Sequence, residues 1–357
     1  RLGVNGASAY RLYLDGQLVA ESEFIHHPIL KTQEVELEAG RFYSLRLDYV
    51  SRGLDPQVQL LWSPPGVDYE ARALEAAERA DVIVAVMGLS PALEGEEMPV
   101  DVDGFAGGDR TDIRLPRPQE ELLKRMHALG KPVVLVLLNG SALAVNWAVD
   151  HVPAIVEAWY PGQAGGEALA DVLFGDYNPA GRLPVTFYRS VEDLPAFEDY
   201  RMEGRTYRYF WGEPLFPFGY GLSYTTFEFD NLDIDQAKVK VGGQVAVSVD
   251  VTNAGDRAGD EVVQLYVRHG DVAVPQPIKE LKGFKRITLQ AGERKTVTFI
   301  LHTNQLGIYD ETMEYVVQPG TIEVMVGSSS QHLPLTGTFE IVGQSANIGA
   351  DKVFFSQ

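Results

Sequence analysis

The run Val133-Val134-Leu135-Val136-Leu137-Leu138, followed at once by Asn139-Gly140-Ser141, decides what the middle of this chain can be. Consecutive apolar residues show no in-and-out alternation, so both faces of such a strand must be covered; the run also falls far short of the ~20 residues of a membrane span. Helical patterns stand on either side: residues 118–129 with Gly130 as C-cap before it, residues 165–173 after it, and residues 69–79 further upstream. Two more short apolar runs, residues 82–87 and 154–159, fall between these helices. Strands alternating with helices predict a mainly parallel, doubly covered sheet. Ligands meet such sheets at loops beyond the carboxyl ends of the strands, which here are residues 88–111, 139–141 and 160–166.

Working outward, the pattern changes on both sides. From Tyr10 to Trp62 the residues alternate: Tyr10, Leu12 and Leu14 lead into the hairpin signal Asp15-Gly16, and Val35, Leu37, Tyr43, Leu45 and Leu47 keep the period. Pro64-Pro65-Gly66 then interrupts any ladder, which places a boundary near residue 66. Beyond Thr225 alternation returns in Val245, Val247, Val249 and Val251, in Val297, Phe299 and Leu301, and in Ile322, Val324 and Val326, predicting an antiparallel sandwich that ends near Val342. Residues 345–357 carry no pattern and read as an extension that packs elsewhere or frays. The fold class is therefore multidomain, α/β plus all-β, divided into residues 1–66, 67–224, 225–344 and 345–357.

Composition narrows the function. The 357 residues suggest two to three domains at ~150 residues each. With 45% hydrophobic and 22% charged residues, the chain can bury substantial cores. Thirty Lys and Arg against 50 Asp and Glu give a formal charge of -20, which repels nucleic-acid phosphates and anionic lipid, so neither nucleic acid nor membrane is expected as a partner. With no Cys, disulfides, thiolate metal sites and cysteine nucleophiles are excluded together. The seven His are scattered without paired helical spacing, so zinc is not expected. The chain opens on Arg1-Leu2-Gly3-Val4-Asn5-Gly6, without an initiator Met or a leader, and reads as cut from a longer protein.

The chemistry-bearing stretch is Leu93-Glu94-Gly95-Glu96-Glu97-Met98-Pro99-Val100-Asp101-Val102-Asp103, which holds five carboxylates. Crowded or half-buried carboxylates hold protons near neutrality and suit general acid/base work, whereas a charge run facing water does no chemistry. A calcium loop fails on spacing, because Phe105 stands where another oxygen ligand is needed after Asp101 and Asp103. Gly104-Phe105-Ala106-Gly107-Gly108-Asp109-Arg110-Thr111 has Asp109 where a phosphate loop needs Lys, and it reads as a turn. Gly162-Gln163-Ala164-Gly165-Gly166-Glu167 lacks dinucleotide spacing and reads as a tight strand-to-helix connection. Ser141 lies outside any Gly-x-Ser-x-Gly elbow, and Asn139-Gly140-Ser141, although a glycosylation sequon, reads as structural at its strand end.

Residues 68 to about 345 resemble the C-terminal half of a glycoside hydrolase family 3 enzyme of the β-glucosidase and β-xylosidase type. The resemblance rests on Leu93-Glu94-Gly95-Glu96-Glu97 with Gly108-Asp109-Arg110, and on Ala158-Trp159-Tyr160-Pro161-Gly162-Gln163-Ala164-Gly165-Gly166. It rests equally on Ala170-Asp171-Val172-Leu173-Phe174-Gly175-Asp176-Tyr177-Asn178-Pro179-Ala180-Gly181-Arg182-Leu183-Pro184 and on Phe216-Pro217-Phe218-Gly219-Tyr220-Gly221-Leu222-Ser223-Tyr224-Thr225-Thr226-Phe227. It implies an α/β sandwich followed by a fibronectin type III-like domain. Residues 1–66 resemble the end of the anthrax-protective-antigen-type β-sandwich that some members insert into the α/β domain. That module binds calcium in some adhesins through adjacent Asp residues, a pair that residues 1–66 lack.

The resemblance also implies a site. The family's general acid/base is a carboxylate of this loop, within a pattern close to Glu-x-Glu-Gly-x-Asp-Arg, and matching the second carboxylate selects Glu96. Glu97 stands where glycine is usual, and a longer stretch separates Glu96 from Gly108-Asp109-Arg110, so the choice among Glu94, Glu96 and Glu97 stays open. Arg110 is expected to orient the loop by a bidentate pair with one of these carboxylates. The nucleophilic Asp lies on an N-terminal (β/α)8 barrel outside this chain, so the expected function is one segment of a retaining exo-acting β-glycosidase, β-glucosidase before β-xylosidase. Its substrate is an oligosaccharide or β-glucoside, with no cofactor and no metal. A periplasmic or secreted location and a homo-oligomer are both compatible with it. Trp159, Tyr160, Tyr207, Tyr209 and Trp211 offer faces for sugar rings, against the alternative that they cement domains. The rival class is a non-catalytic carbohydrate-binding or adhesion protein.

Overall fold

The computed structural model describes residues 1–23, 28–51, 56–95, 100, 102–270 and 274–354. Three separate hydrophobic cores organise them.

The N-terminal part is a pair of small antiparallel sheets. Leu2–Ala7 lies between Ile29–Gln33 and Gln57–Trp62, and Ala9–Leu14 lies between Gln17–Ser22 and Leu45–Val50. The hairpin expected at Asp15-Gly16 joins Ala9–Leu14 to Gln17–Ser22, with Asp15 at φ 48°. Asp15 gains a second role there, since its Oδ1 accepts the Ser44 N–H at 2.7 Å. Leu2, Val4, Tyr10, Leu12 and Ala20 form the core, and the buried Tyr10 hydroxyl is satisfied by donating to the Ile29 carbonyl at 2.8 Å.

In the middle part Val133–Leu138 is indeed the central strand, flanked by Ile83–Gly88 and Ala154–Glu157, all parallel. The helices of more than four residues are Tyr69–Glu78, Arg117–His127, Asn146–His151 and Gly165–Phe174. Asp68 caps the first through the Ala71 N–H at 2.9 Å, and Gly175, at φ 81°, ends the last. Ile83, Ala85, Val133, Leu135 and Leu137 meet Leu123 and Met126 on one face. On the opposite face the expected double cover is incomplete among the described residues. Val84 and Val86 are 46% and 53% exposed, and the Gly165–Phe174 helix, apolar over much of its length, has no buried residue. The strand ends are pinned with care. Gln119 donates to the Gly88 carbonyl at 2.8 Å and accepts the Gly88 N–H at 2.7 Å. Gly88 itself, at φ 133°, approaches so closely that a Cβ would stand 2.1 Å from the Leu138 carbonyl oxygen.

The C-terminal part is the expected antiparallel sandwich. One sheet holds Phe227–Ile234, Gln244–Asn253 and Arg294–His302; the other holds Leu335–Val342, Gly320–Gly327, Gly259–His269 and Glu280–Leu289, with Lys238–Lys240 added in parallel at one edge. Val245, Val247, Val249 and Val251 all point into the core against Phe299, Leu301, Val324 and Val326. The stretch after Val342 folds back: Ala346–Asn347 pairs with Val316 and Val317, Ile348 is buried, and the Lys352 ammonium lies 4.0 Å from the Tyr315 ring centroid.

Candidate active site

The site is assembled where two parallel strands end side by side. Beyond Val133–Leu138 the chain turns through Asn139-Gly140-Ser141, and beyond Ala154–Glu157 it turns through Ala158-Trp159-Tyr160. Across from them, the loop after Ile83–Gly88 makes a tight turn, with the Leu93 and Glu94 N–H groups both donating to the Ser90 carbonyl. That turn lowers Glu94 onto the strand ends.

Glu94 is 9% exposed, and both its oxygens are engaged. Oε1 accepts the Gly140 N–H at 2.5 Å and the Tyr160 hydroxyl; Oε2 accepts the Ser141 hydroxyl at 2.6 Å. Gly140 has to be glycine for this approach, because a Cβ would lie 2.9 Å from the Tyr160 ring and 3.0 Å from Glu94 Oε1. Burial, reinforced by the hydrogen bond to Glu94, holds the Tyr160 hydroxyl well above the ordinary phenol range, so it stays a donor. A carboxylate gripped by three donors anchors the loop that carries it. Glu94→Ala removes the acceptor for three donors at once, and a stability loss of about 2–3 kcal/mol is expected in thermal unfolding.

Arg110 departs from the expected bidentate pairing with a carboxylate. Its Nε and Nη2 both donate to the Asp112 backbone carbonyl, at 2.9 and 2.7 Å, while Nη1 donates to Ser141 Oγ at 3.0 Å and stands 4.0 Å from Glu94 Oε2. The reason lies in the short hairpin Phe105–Ala106 and Asp109–Arg110, which puts the guanidinium against the chain just ahead of it. The Gly104–Thr111 segment is thus the turn it was expected to be. Arg110 still serves the loop, since it completes the ring of groups around Ser141 and Glu94.

Glu96, the expected acid/base, lies outside the described residues, as do Glu97 and Asp101. Glu94 lies two positions before Glu96, and the hairpin with Arg110 follows.

Beneath this anchor stand Asn139, read from the sequence as structural, and Glu157, which the sequence reading passed over. Glu157, last in its strand, accepts the Trp159 N–H at 3.0 Å and the Asn139 Nδ2 amide at 3.3 Å. Burial pushes its carboxyl up to about 7, against the lowering effect of those two hydrogen bonds. Because the folded value lies above the ordinary 4.5, the folded protein keeps a proton that the unfolded chain has released. Stability that is present below about pH 4.5 is therefore lost as pH rises through 7, by about 3 kcal/mol. Asn139 is fully buried, as a structural reading of the sequon requires, and donates also to the Ser141 carbonyl at 2.9 Å. The only available signal was position, at the carboxyl ends of parallel strands.

The aromatic residues divide. Tyr207 stacks on Phe218 at 4.3 Å and its hydroxyl accepts the Leu281 N–H, joining the middle part to the sandwich. Trp159 packs edge-on against Phe187, and Tyr160 is committed to Glu94. Tyr209 lies beside the Arg208 guanidinium, and Trp211 is 80% exposed on the rim of a cavity of about 180 Å³. Among the described residues no group of His, Asp and Glu side chains is placed to hold a metal ion, and no helix is long and apolar enough to cross a membrane.

Residues 6–224 match the glycosyl hydrolase family 3 C-terminal domain, and residues 261–330 match a fibronectin type III-like domain. Among curated relatives, a xylan 1,4-beta-xylosidase of Xylanibacter ruminicola is 41% identical over 345 residues, covering 92% of this chain and 38% of the relative. The periplasmic beta-glucosidase of Salmonella typhimurium is 41% identical over 282 residues, 76% of this chain and 35% of that one. The crystal structure of a beta-glucosidase from Kluyveromyces marxianus in complex with glucose superposes on 99% of this chain and 43% of its own, with a TM-score of 0.77 at 29% identity. The chain thus spans less than half the length of the relatives it matches. By sequence and by fold, the chain belongs to glycosyl hydrolase family 3.

Proposed function

We propose that this chain supplies the general acid/base, Glu96, to a retaining exo-acting β-glycosidase whose nucleophilic Asp sits on a (β/α)8 barrel portion outside residues 1–357. The observation that carries this reading is the commitment of Glu94: three donors hold it, so it fixes the loop, and proton transfer falls to a carboxylate further along. Retaining hydrolysis needs two carboxyl groups ~5 Å apart on either side of the glycosidic bond. One attacks the anomeric carbon while Glu96 protonates the departing oxygen; Glu96, now ionised, then takes a proton from the water that releases the sugar. No cofactor enters these steps.

The substrate is a terminal non-reducing β-linked sugar, a β-glucoside in the first reading. A β-xyloside is the second, favoured by the match to a xylan 1,4-beta-xylosidase over 92% of the chain. The two differ by one hydroxymethyl group, which a pocket discriminates by only ~10- to 200-fold. A periplasmic or secreted location accords with the reading and with the name of the Salmonella relative.

The test compares the full-length protein with residues 1–357 alone on p-nitrophenyl β-glucoside and β-xyloside. Turnover is expected from the full-length protein and none from residues 1–357, which hold one carboxylate of the pair. Turnover by residues 1–357 alone, or none by the full-length protein on either glycoside, overturns the reading.

A further inference from the structure

We propose that Glu157 is a positioning residue for the acid/base loop, holding through Asn139 and Trp159 the two strand-end segments that grip Glu94. This inference rests on the glycosidase reading and extends it from the loop to what supports the loop.

The argument follows the hydrogen bonds. Glu157 Oε2 accepts from Asn139 Nδ2, and the same amide nitrogen donates to the Ser141 carbonyl. Gly140 and Ser141, held in this way, give their N–H and hydroxyl to Glu94. Glu157 Oε1 accepts the Trp159 N–H, and Trp159 is in the left-handed region at φ 54°, a strained conformation for a large side chain. Tyr160, next along, gives its hydroxyl to Glu94. Both routes from Glu157 reach Glu94 through adjacent residues, so one carboxylate fixes the opposite sides of the anchor.

The arrangement has two states. Ionised Glu157 accepts from both neighbours. Once protonated, it must place an O–H where the Asn139 amide also presents a donor. The Asn139 Oδ1 atom is buried and has no partner among the described residues. Turning the amide over offers that oxygen to the Glu157 proton, but gives up the bond to the Ser141 carbonyl. Protonation of Glu157 is thereby linked to release of the Gly140-Ser141 turn. The groups that face Glu157 are neutral: Asn139 from the Val133–Leu138 strand and the Trp159 N–H from its own turn. Glu94 and Arg110, the nearest charges of this network, are reached only through Gly140, Ser141 and Tyr160. Burial places the Glu157 transition at about 7, within the working range of an enzyme assay.

The experiment is the pH profile of kcat and KM for the full-length protein on p-nitrophenyl β-glucoside, a substrate that needs little protonation of its leaving group. The wild type is expected to lose kcat as pH falls through about 7, with KM nearly constant. Glu157→Gln, which cannot ionise, is expected to run about tenfold below wild type at pH 8, with that limb gone. Asn139→Asp sets a second carboxylate beside Glu157 and is expected to move the limb upward by about one pH unit. A merely structural Glu157 lowers unfolding temperature and scales the rate equally at every pH. A wild-type limb near 7 that both variants leave in place, or no such limb in the wild type, overturns the role of Glu157 alone. No turnover by the wild type on any glycoside overturns the glycosidase reading itself.

Discussion

Glu96→Gln in the full-length protein is expected to lower kcat/KM on alkyl or disaccharide β-glycosides by about 10³-fold, and to cost far less on a p-nitrophenyl glycoside. The asymmetry is the content of the prediction. An alkoxide or sugar leaving group must receive a proton as the bond breaks, so deleting the donor raises that barrier by about 4 kcal/mol. Nitrophenolate departs without help, and the deficit then moves to the second step, where the missing base fails to activate water. A burst of nitrophenol followed by slow turnover is the kinetic sign. Glu94→Ala is expected to behave differently, because displacing an anchor slows every substrate by a similar factor. Equal losses for Glu96→Gln across leaving groups would make Glu96 a positioning residue like Glu94, and an unchanged rate would leave it a bystander and move the proton donor to Glu94 or Glu97.

The parts of the fold legible beforehand were those where burial imposes a period. Val133–Leu138 reads as a strand covered on both faces because nothing in it alternates, and Val245 to Val251 reads as half of a sandwich because everything does. The helix Asn146–His151 escaped notice for physical reasons: it has six residues, no side-chain cap, and a β-branched Val at its entry, so tertiary packing of Ala148 and Trp147 makes it. In the site, the loop and its carboxylates were visible as charge crowding. Their division of labour was not, because it depends on which oxygen meets Ser141, Gly140 and Tyr160, residues far apart in sequence. Arg110 shows the same limit from the cation side. A guanidinium near five carboxylates invites an ion pair, yet a short hairpin turns two of its donors onto the Asp112 backbone carbonyl. Glu157 was hidden most completely, since one charged residue ending an apolar strand is indistinguishable by pattern from an ordinary strand end.

The largest effect on stability is expected away from the site, at the seam between the α/β part and the sandwich. Arg182 and Glu261 are 8% and 5% exposed and meet at 2.7 Å, and Glu261 Oε1 also accepts the Val262 N–H. Around them Gln264 donates to the Gly219 and Ser328 carbonyls, and Asn178 donates to the Ala258 carbonyl, so the Gly-rich segment after Phe216 is tied to the Gly259–His269 strand. Two ions taken out of water balance each other, but either one alone is stranded. Glu261→Leu and Arg182→Met are each expected to cost about 3–5 kcal/mol in denaturant unfolding. That is a large share of the ~5–15 kcal/mol that holds a domain together. The double variant Arg182→Met with Glu261→Leu is expected to recover most of the loss, because an apolar pair of similar volume carries no desolvation cost. Additive losses in the double variant would mean that the pair is not the unit, and that each side chain holds its own half of the seam through the Gly181 carbonyl or the Val262 N–H. The double variant should also keep its turnover. Arg182 reaches the strand ends only through the core contacts of Leu183 and Phe187 with Trp159, which a well-packed replacement leaves in place.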